Sequence, residues 1–217
     1  MIDSSGPRRL TEEELRNAFA PERVSRLIQS LAPYLAQEGR TALHILPLAW
    51  RMGHFAMEPH AFWELFGADH ARLVLLTPDR SIAQQSLGLR SILENIIELA
   101  ETSDGDVLLM GQIGASITRA DKFTWNQRST TGLIDDYIKV LMSPGRRPRH
   151  FPVSQEVTNA TSNFLETLDI SSSDRIVVLN VRDLNFLPEL KVHAFRAADI
   201  ATYKPAVEHL IEEGYKV

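Results

Sequence analysis

The chain has 217 residues, of which 44% are hydrophobic and 24% are charged, so it can bury a core and differs in composition from disordered proteins. Its formal net charge of −5 argues against general nucleic-acid binding, and the lack of cysteine excludes disulfides, thiolate metal sites and cysteine nucleophiles. No apolar stretch approaches the roughly 20 residues that span a bilayer, and residues 1–6 lack the core of a signal peptide, so the cytoplasm is the expected compartment.

Residues 1–40 are predicted to form a helical lead-in to the first domain. Thr11 is followed by three glutamates, which is typical of a helix start because a hydroxyl caps free amides and acids oppose the positive end of the helix dipole. Apolar residues then recur at helical spacing, with an interruption at Pro21. We therefore expect two short helices that pack against the next domain.

Residues 41–142 alternate between apolar runs and helical patterns, which is typical of a parallel α/β sheet with crossover helices. The predicted strands are residues 41–49, 72–77 and 106–110, and the predicted helices are residues 58–66, 87–101 and 131–142. The pattern predicts a Rossmann-like domain.

Residues 143–153 are expected to be a linker, because they are rich in proline and arginine. The basic cluster within them is interpreted as solvated linker surface in preference to a phosphate site, and it consists of Arg146, Arg147, Arg149 and His150.

Residues 154–217 are predicted to begin a second Rossmann-like domain. The pattern predicts a helix at 154–168, a buried strand at 176–181, and a helix that Asp199 opens and Gly214 closes. These elements cannot cover both faces of a sheet, and residues 215–217 resemble the start of another strand. We therefore expect a truncated second domain whose remaining part lies beyond residue 217.

The first candidate site follows the strand that begins at residue 41. Arg51, Gly53 and His54 lie where a glycine-containing turn would bring backbone amides and a helix amino end close to a polar ligand. Arg51 could supply a charge and His54 a proton. The alternative is an ordinary tight loop with an exposed arginine and a packed histidine.

Two further candidate sites lie near the C-terminus. The pair Arg182 and Asp183 follows the predicted strand at 176–181, where a guanidinium group suits a diphosphate. A strand-end ion pair is an equally weighted alternative. The other site contains His193, Arg196, Asp199 and Tyr203. Asp199 is most simply a helix N-cap.

Several of these segments resemble a bacterial family of glycosyltransferases. Residues 181–183 (VRD), 193–206 (HAFRAADIATYKPA) and 214–217 (GYKV) resemble the family's "VRE/VRD" strand end, "HSYRNADIxxYxPAI" and "GYxVxRMG". Residues 51–58 (RMGHFAME) are similar to its "RIGHLAxE" loop.

The resemblance implies an enzyme with two Rossmann-like domains, of the GT-B type, distantly similar to fucosyltransferase-like enzymes. In those enzymes an arginine in an "HVR" strand end contacts the donor diphosphate, and Arg182 matches it. The matching histidine is absent, because Asn180 occupies its position. The resemblance implies a role in bacterial polysaccharide biosynthesis, in the cytoplasm or peripherally at the inner membrane.

The resemblance implies that a sugar passes from a nucleotide diphosphate sugar to a hydroxyl of a cell-surface glycan or related acceptor. Arg182 or Arg196 would stabilise the leaving diphosphate, so no cofactor or metal is expected. The candidate catalytic bases, in order, are His54, Glu58 and Asp183. The candidate substrate-binding residues are Arg51, Gly53, Arg182, His193, Arg196, Asp199 and Tyr203. The alternative is a non-catalytic α/β module that binds a nucleotide or phosphate, or acts as a scaffold. We expect this fragment to retain substrate recognition even where catalysis is lost.

Overall fold

The computed structural model describes residues 11–35, 39–114, 116–181 and 198–217. The chain divides into two compact units, Met1–Val153 and Ser154–Val217. Within the described ranges, no helix combines the length and the hydropathy needed to cross a membrane.

The first unit opens with two helices, α1 (Glu12–Ala18) and α2 (Pro21–Leu35). At the start of α1 the Thr11 amide donates to Glu14 Oε2 at 2.7 Å, and the Glu14 amide donates to Thr11 Oγ1 at 3.2 Å. This reciprocal pair is a capping box. The predicted pair of short helices is confirmed.

A five-stranded sheet forms the centre of the first unit. Its strands are β1 (Thr41–Ile45), β2 (Arg72–Pro78), β3 (Glu98–Thr102), β4 (Ile117–Ala120) and β5 (Phe123–Asn126), and the helices along it are α3 (Met52–Phe66), α4 (Leu87–Leu93), α5 (Gly105–Ile113) and α6 (Thr130–Leu141). The strand order is β3-β2-β1-β5-β4, and every neighbouring pair is parallel except β4 with β5. The predicted α/β class with a parallel, Rossmann-like sheet is confirmed.

Two predicted elements between residues 87 and 110 are wrong. The predicted helix 87–101 ends at Leu93, and its last residues form β3. The predicted strand 106–110 lies inside α5, which begins because the Asp104 carboxylate accepts the amides of Asp106 and Val107. A short apolar run fits a buried helix as well as a strand, so the capping residue decides between them. The first strand also ends at Ile45, earlier than predicted.

The sheet is buried on both faces, as parallel sheets generally are. One face packs against α3 and α6, and its buried residues include Ala42, Leu73, Leu75, Phe55, Phe62 and Leu133. The other packs against α2 and α5, and its buried residues include Leu43, Ile45, Val74, Leu76, Leu27 and Met110. Because side chains alternate along a strand, His44 points to the same face as Ala42, towards α3.

The segment 143–153 is held against α3 through Glu64. The buried Glu64 carboxylate accepts from the Arg149 amide at 2.7 Å, from Arg149 Nε at 2.9 Å and from Arg146 Nη2 at 2.8 Å. The Arg149 guanidinium also lies 3.9 Å from the centre of the Trp63 ring. Arg146, Arg147 and His150 are exposed, as the predicted solvated surface requires, although Arg146 also pairs with Glu64. Arg149 is partly buried and differs from that prediction.

The second unit contains α7 (Gln155–Thr167), β6 (Arg175–Ile176), a short 3-10 helix (Ile200–Tyr203), α8 (Lys204–Glu212) and β7 (Tyr215–Lys216). β6 pairs in parallel with β7. The predicted buried strand 176–181 is wrong in its length and its burial, because β6 ends at Ile176 and Val178 is 87% exposed. Gly214 adopts a positive φ of 78°, a conformation that suits glycine at the end of a helix.

Candidate functional site

The carboxyl ends of β1 and β5 form the point where the strand order reverses. The chain runs from β1 outward to β2 and β3, and then returns to place β5 on the opposite side of β1. In open α/β sheets, ligands bind in the crevice outside such a reversal, at the carboxyl ends of the strands. α3 and α6 both begin at this edge, because α3 follows β1 and α6 follows β5.

Five polar residues meet at this edge, and we call them the switch-point cluster: His44, His54, Glu58, Asn126 and Thr130. His44 in β1 and Asn126 in β5 are direct partners in the strand register. His54 and Glu58 lie one turn apart on α3, and Thr130 is the first residue of α6. Four separate elements therefore contribute to one cluster.

Glu58 is the centre of the cluster and is only 1% exposed. Its Oε1 lies 2.5 Å from His54 Nδ1 and accepts the Thr130 hydroxyl at 2.8 Å. Its Oε2 lies 3.3 Å from His44 Nε2. The other nitrogen of the His44 ring lies 3.1 Å from Asn126 Nδ2.

The contacts of Glu58 determine its ionisation. Burial raises the pKa of the Glu58 carboxyl, but hydrogen bonds from His44, His54 and Thr130 outweigh burial and leave its pKa below the ordinary glutamate value. Glu58 is therefore a carboxylate at neutral pH. Since a carboxylate can only accept hydrogen bonds, both imidazoles must turn an N–H towards it.

His54 is thereby prepared to receive a proton. With its hydrogen on Nδ1, facing Glu58, the neutral ring has a free electron pair on Nε2. That nitrogen has no hydrogen-bond partner among the described residues, and the His54 side chain is 25% exposed. A histidine that a buried carboxylate orients in this way is suited to general base catalysis.

Arg51 and Gly53 lie at the start of α3, just before His54 in the chain. Arg51 is exposed, and its guanidinium lies 4.8 Å from the centre of the Trp50 ring. Gly53 lies in the first turn of α3 and not in the loop, contrary to the glycine-containing turn that we predicted. No atom lies within 4 Å of the position that a Cβ on Gly53 would occupy, so the backbone here does not require glycine.

The C-terminal candidates are described in part. Four of them lie outside the described residues, namely Arg182, Asp183, His193 and Arg196. The Asp199 carboxylate accepts the Ala201 amide at 2.9 Å and so caps the 3-10 helix, as its simplest interpretation predicts. Tyr203 is the last residue of that helix.

Sequence reasoning missed His44, Asn126 and Thr130. One signal was present, because His44 interrupts an apolar strand that we expected to be buried, and a buried imidazole needs a polar partner. No cluster of histidine and acidic residues within the described ranges has an arrangement that could hold a metal ion.

Comparison of the chain with models of known protein families, with curated proteins and with solved structures returns no match.

Proposed function

We propose that this chain carries the acceptor-side domain of a glycosyltransferase in which His54, oriented by Glu58, acts as the general base. The observation that carries the proposal is the 2.5 Å contact between Glu58 Oε1 and His54 Nδ1, together with an Nε2 that has no partner in the described part of the chain. The proposal gives Glu58 an orienting role, because a buried carboxylate with a lowered pKa is a weak base.

In the proposed reaction His54 Nε2 takes the proton of an acceptor hydroxyl. The oxygen attacks the anomeric carbon of a nucleotide diphosphate sugar, and the bond from that carbon to the diphosphate breaks, with the electron pair leaving on the diphosphate. The imidazolium that forms is stabilised by the Glu58 carboxylate at its Nδ1.

The donor side of the proposal rests on the family resemblance. Arg182 and Arg196 would bind and stabilise the diphosphate. The substrates are then a nucleotide sugar and a glycan acceptor of bacterial polysaccharide biosynthesis, in the cytoplasm or at the inner membrane.

A second candidate function is binding of a nucleotide or phosphate without chemistry. α3 and α6 both begin at the switch-point edge without a side-chain cap, so their first amides are available to an anion. In this function the switch-point cluster would hold the two helix starts in place and His54 would not transfer a proton.

Turnover by the chain and by His54→Ala separates the two functions. A panel of nucleotide diphosphate sugars with glycan acceptors is screened by mass spectrometry for released nucleoside diphosphate, and nucleotide binding is measured by calorimetry. We expect His54→Ala to lower turnover about 100- to 10,000-fold, the usual worth of a general base, while binding is retained.

His150→Ala is the matched control, because His150 is an exposed histidine of the same unit. Equal loss in both variants would contradict a specific role for His54. Sugar transfer from any donor of the panel would exclude the second candidate.

A further inference from the structure

The hydrogen bonds to the Glu58 carboxylate come from both sides of the strand-order reversal. Oε1 is shared by His54 of α3 and Thr130 of α6, and Oε2 faces His44 of β1. Only one of these partners, His54, has a role in the proposed reaction. The other two hold a carboxylate that is already buried.

The His44 contact has a defined direction. Asn126 Nδ2 is a donor only, and at 3.1 Å it donates to His44 Nδ1, so the hydrogen of the neutral His44 ring is on Nε2, where it points to Glu58. The ring also packs against Phe62, with 5.5 Å between the ring centres. Asn126 Oδ1 is buried and has no hydrogen-bond partner among the described residues.

The Thr130 contact supplies the second restraint. Thr130 Oγ1 donates to Glu58 Oε1 at 2.8 Å, on the same oxygen that His54 contacts. Its neighbour Thr131 is exposed and makes no side-chain hydrogen bond within the described ranges. Of these two adjacent threonines, therefore, Thr130 donates a hydrogen bond to Glu58 and Thr131 does not.

We propose that His44 and Thr130 are positioning residues for the His54 base. They fix the plane of the Glu58 carboxylate so that Oε1 stays in line with His54 Nδ1, which holds the hydrogen of the neutral His54 ring on Nδ1 and keeps Nε2 free. This inference rests on the proposed function for its purpose, but the tautomer of His54 is a property of the protein without substrate.

The test is the ratio of the two neutral His54 tautomers, measured by long-range proton–nitrogen NMR on the full chain with ¹⁵N-labelled histidine. His54→Ala assigns the signals. We expect the Nδ1–H form to dominate in the wild type. Losing one hydrogen bond to the carboxylate in Thr130→Val should lower the ratio of Nδ1–H to Nε2–H by about threefold, and His44→Phe should lower it by about tenfold.

Thr131→Val is the matched control and should leave the ratio unchanged. The proposal is overturned if Thr130→Val retains the wild-type ratio, or if the wild type carries its hydrogen on Nε2. Thr130→Val alone is decisive where His44→Phe does not fold, because Thr130 is only partly buried. A dominant Nδ1–H tautomer together with sugar transfer that His54→Ala leaves unchanged would refute the proposed function and leave the positioning roles standing. Transfer that depends on His54, together with an unrestrained tautomer, would do the reverse.

Discussion

Replacing Glu58 with glutamine tests whether the centre of the switch-point cluster is ionised. The substitution keeps the size of the side chain and removes its charge. Glu58 accepts from His44, His54 and Thr130, whereas an amide offers one oxygen and turns an NH₂ group towards at least one of these donors. A hydrogen bond to a buried charge contributes about 1.5–3 kcal/mol, so we expect Glu58→Gln to lower the free energy of unfolding by about 3 kcal/mol at neutral pH.

The loss should depend on pH in a defined direction. The folded protein holds the pKa of Glu58 below its ordinary value of 4.5, so the unfolded chain binds this proton more readily than the folded chain does. The stabilisation by the carboxylate is therefore complete above about pH 4.5 and is lost as the pH falls through the lower, folded value. The difference between the wild type and Glu58→Gln should shrink with acidification.

Urea unfolding followed by tryptophan fluorescence measures this difference in unfolding free energy for the first unit, which contains Glu58. All three tryptophans, Trp50, Trp63 and Trp125, belong to the first unit. Asp135→Asn on α6 is the control for removal of one negative charge, because Asp135 is exposed, and it should change stability by less than about 0.5 kcal/mol. A wild-type advantage over Glu58→Gln that stays constant or grows as the pH falls from about 4.5 through the lowered, folded pKa of Glu58 would refute the ionised, hydrogen-bonded Glu58.

Two further predictions concern the structure around the site. A Cβ on Gly111 of α5 would lie 2.7 Å from the Ile45 carbonyl oxygen, so Gly111→Ala should lower the free energy of unfolding by about 2 kcal/mol. Gly53→Ala is the matched control, because the space around Gly53 is open. It should leave the free energy of unfolding unchanged or raise it by up to about 1 kcal/mol. Urea unfolding measures both, and equal losses would contradict the packing at Gly111. Arg149→Ala removes a charged contact with Glu64 and should lower the free energy of unfolding by about 2 kcal/mol. It should also speed proteolysis within residues 143–153. Unchanged cleavage there would show that Arg149 does not hold the segment.

The fold could be predicted from the sequence where the pattern allows a single interpretation. Residues 41–45 and 72–78 lie in apolar runs, and both are strands buried on two faces, although the first run continues past the end of its strand. Residues 98–113 could not be assigned in the same way. Their apolar residues fit a helix or a strand equally well, and the capping carboxylate of Asp104 determines where α5 begins.

The candidate site likewise combines a local contact, which the sequence can reveal, with long-range contacts, which it cannot. His54 and Glu58 are four residues apart, so helix geometry alone places them on one face, and a sequence can reveal such a pair. Asn126 reaches His44 across 82 residues of chain, and Thr130 reaches Glu58 across 72. Those contacts depend on the strand register and on the position of α6, which no local pattern specifies.

The energetic cost of the switch-point cluster bears on its purpose. Taking the Glu58 carboxylate and the His44 imidazole out of water carries a large desolvation penalty, and a well-packed apolar group at such a place is often as stable or more stable. Elsewhere on this face of the sheet the buried side chains that contact α3 and α6 are largely apolar. The polar exception lies at the edge where α/β sheets bind ligands, and it includes His54 Nε2, a nitrogen without a hydrogen-bond partner in the described part of the chain. Stability alone does not account for that combination, whereas the proposed proton transfer to His54 would.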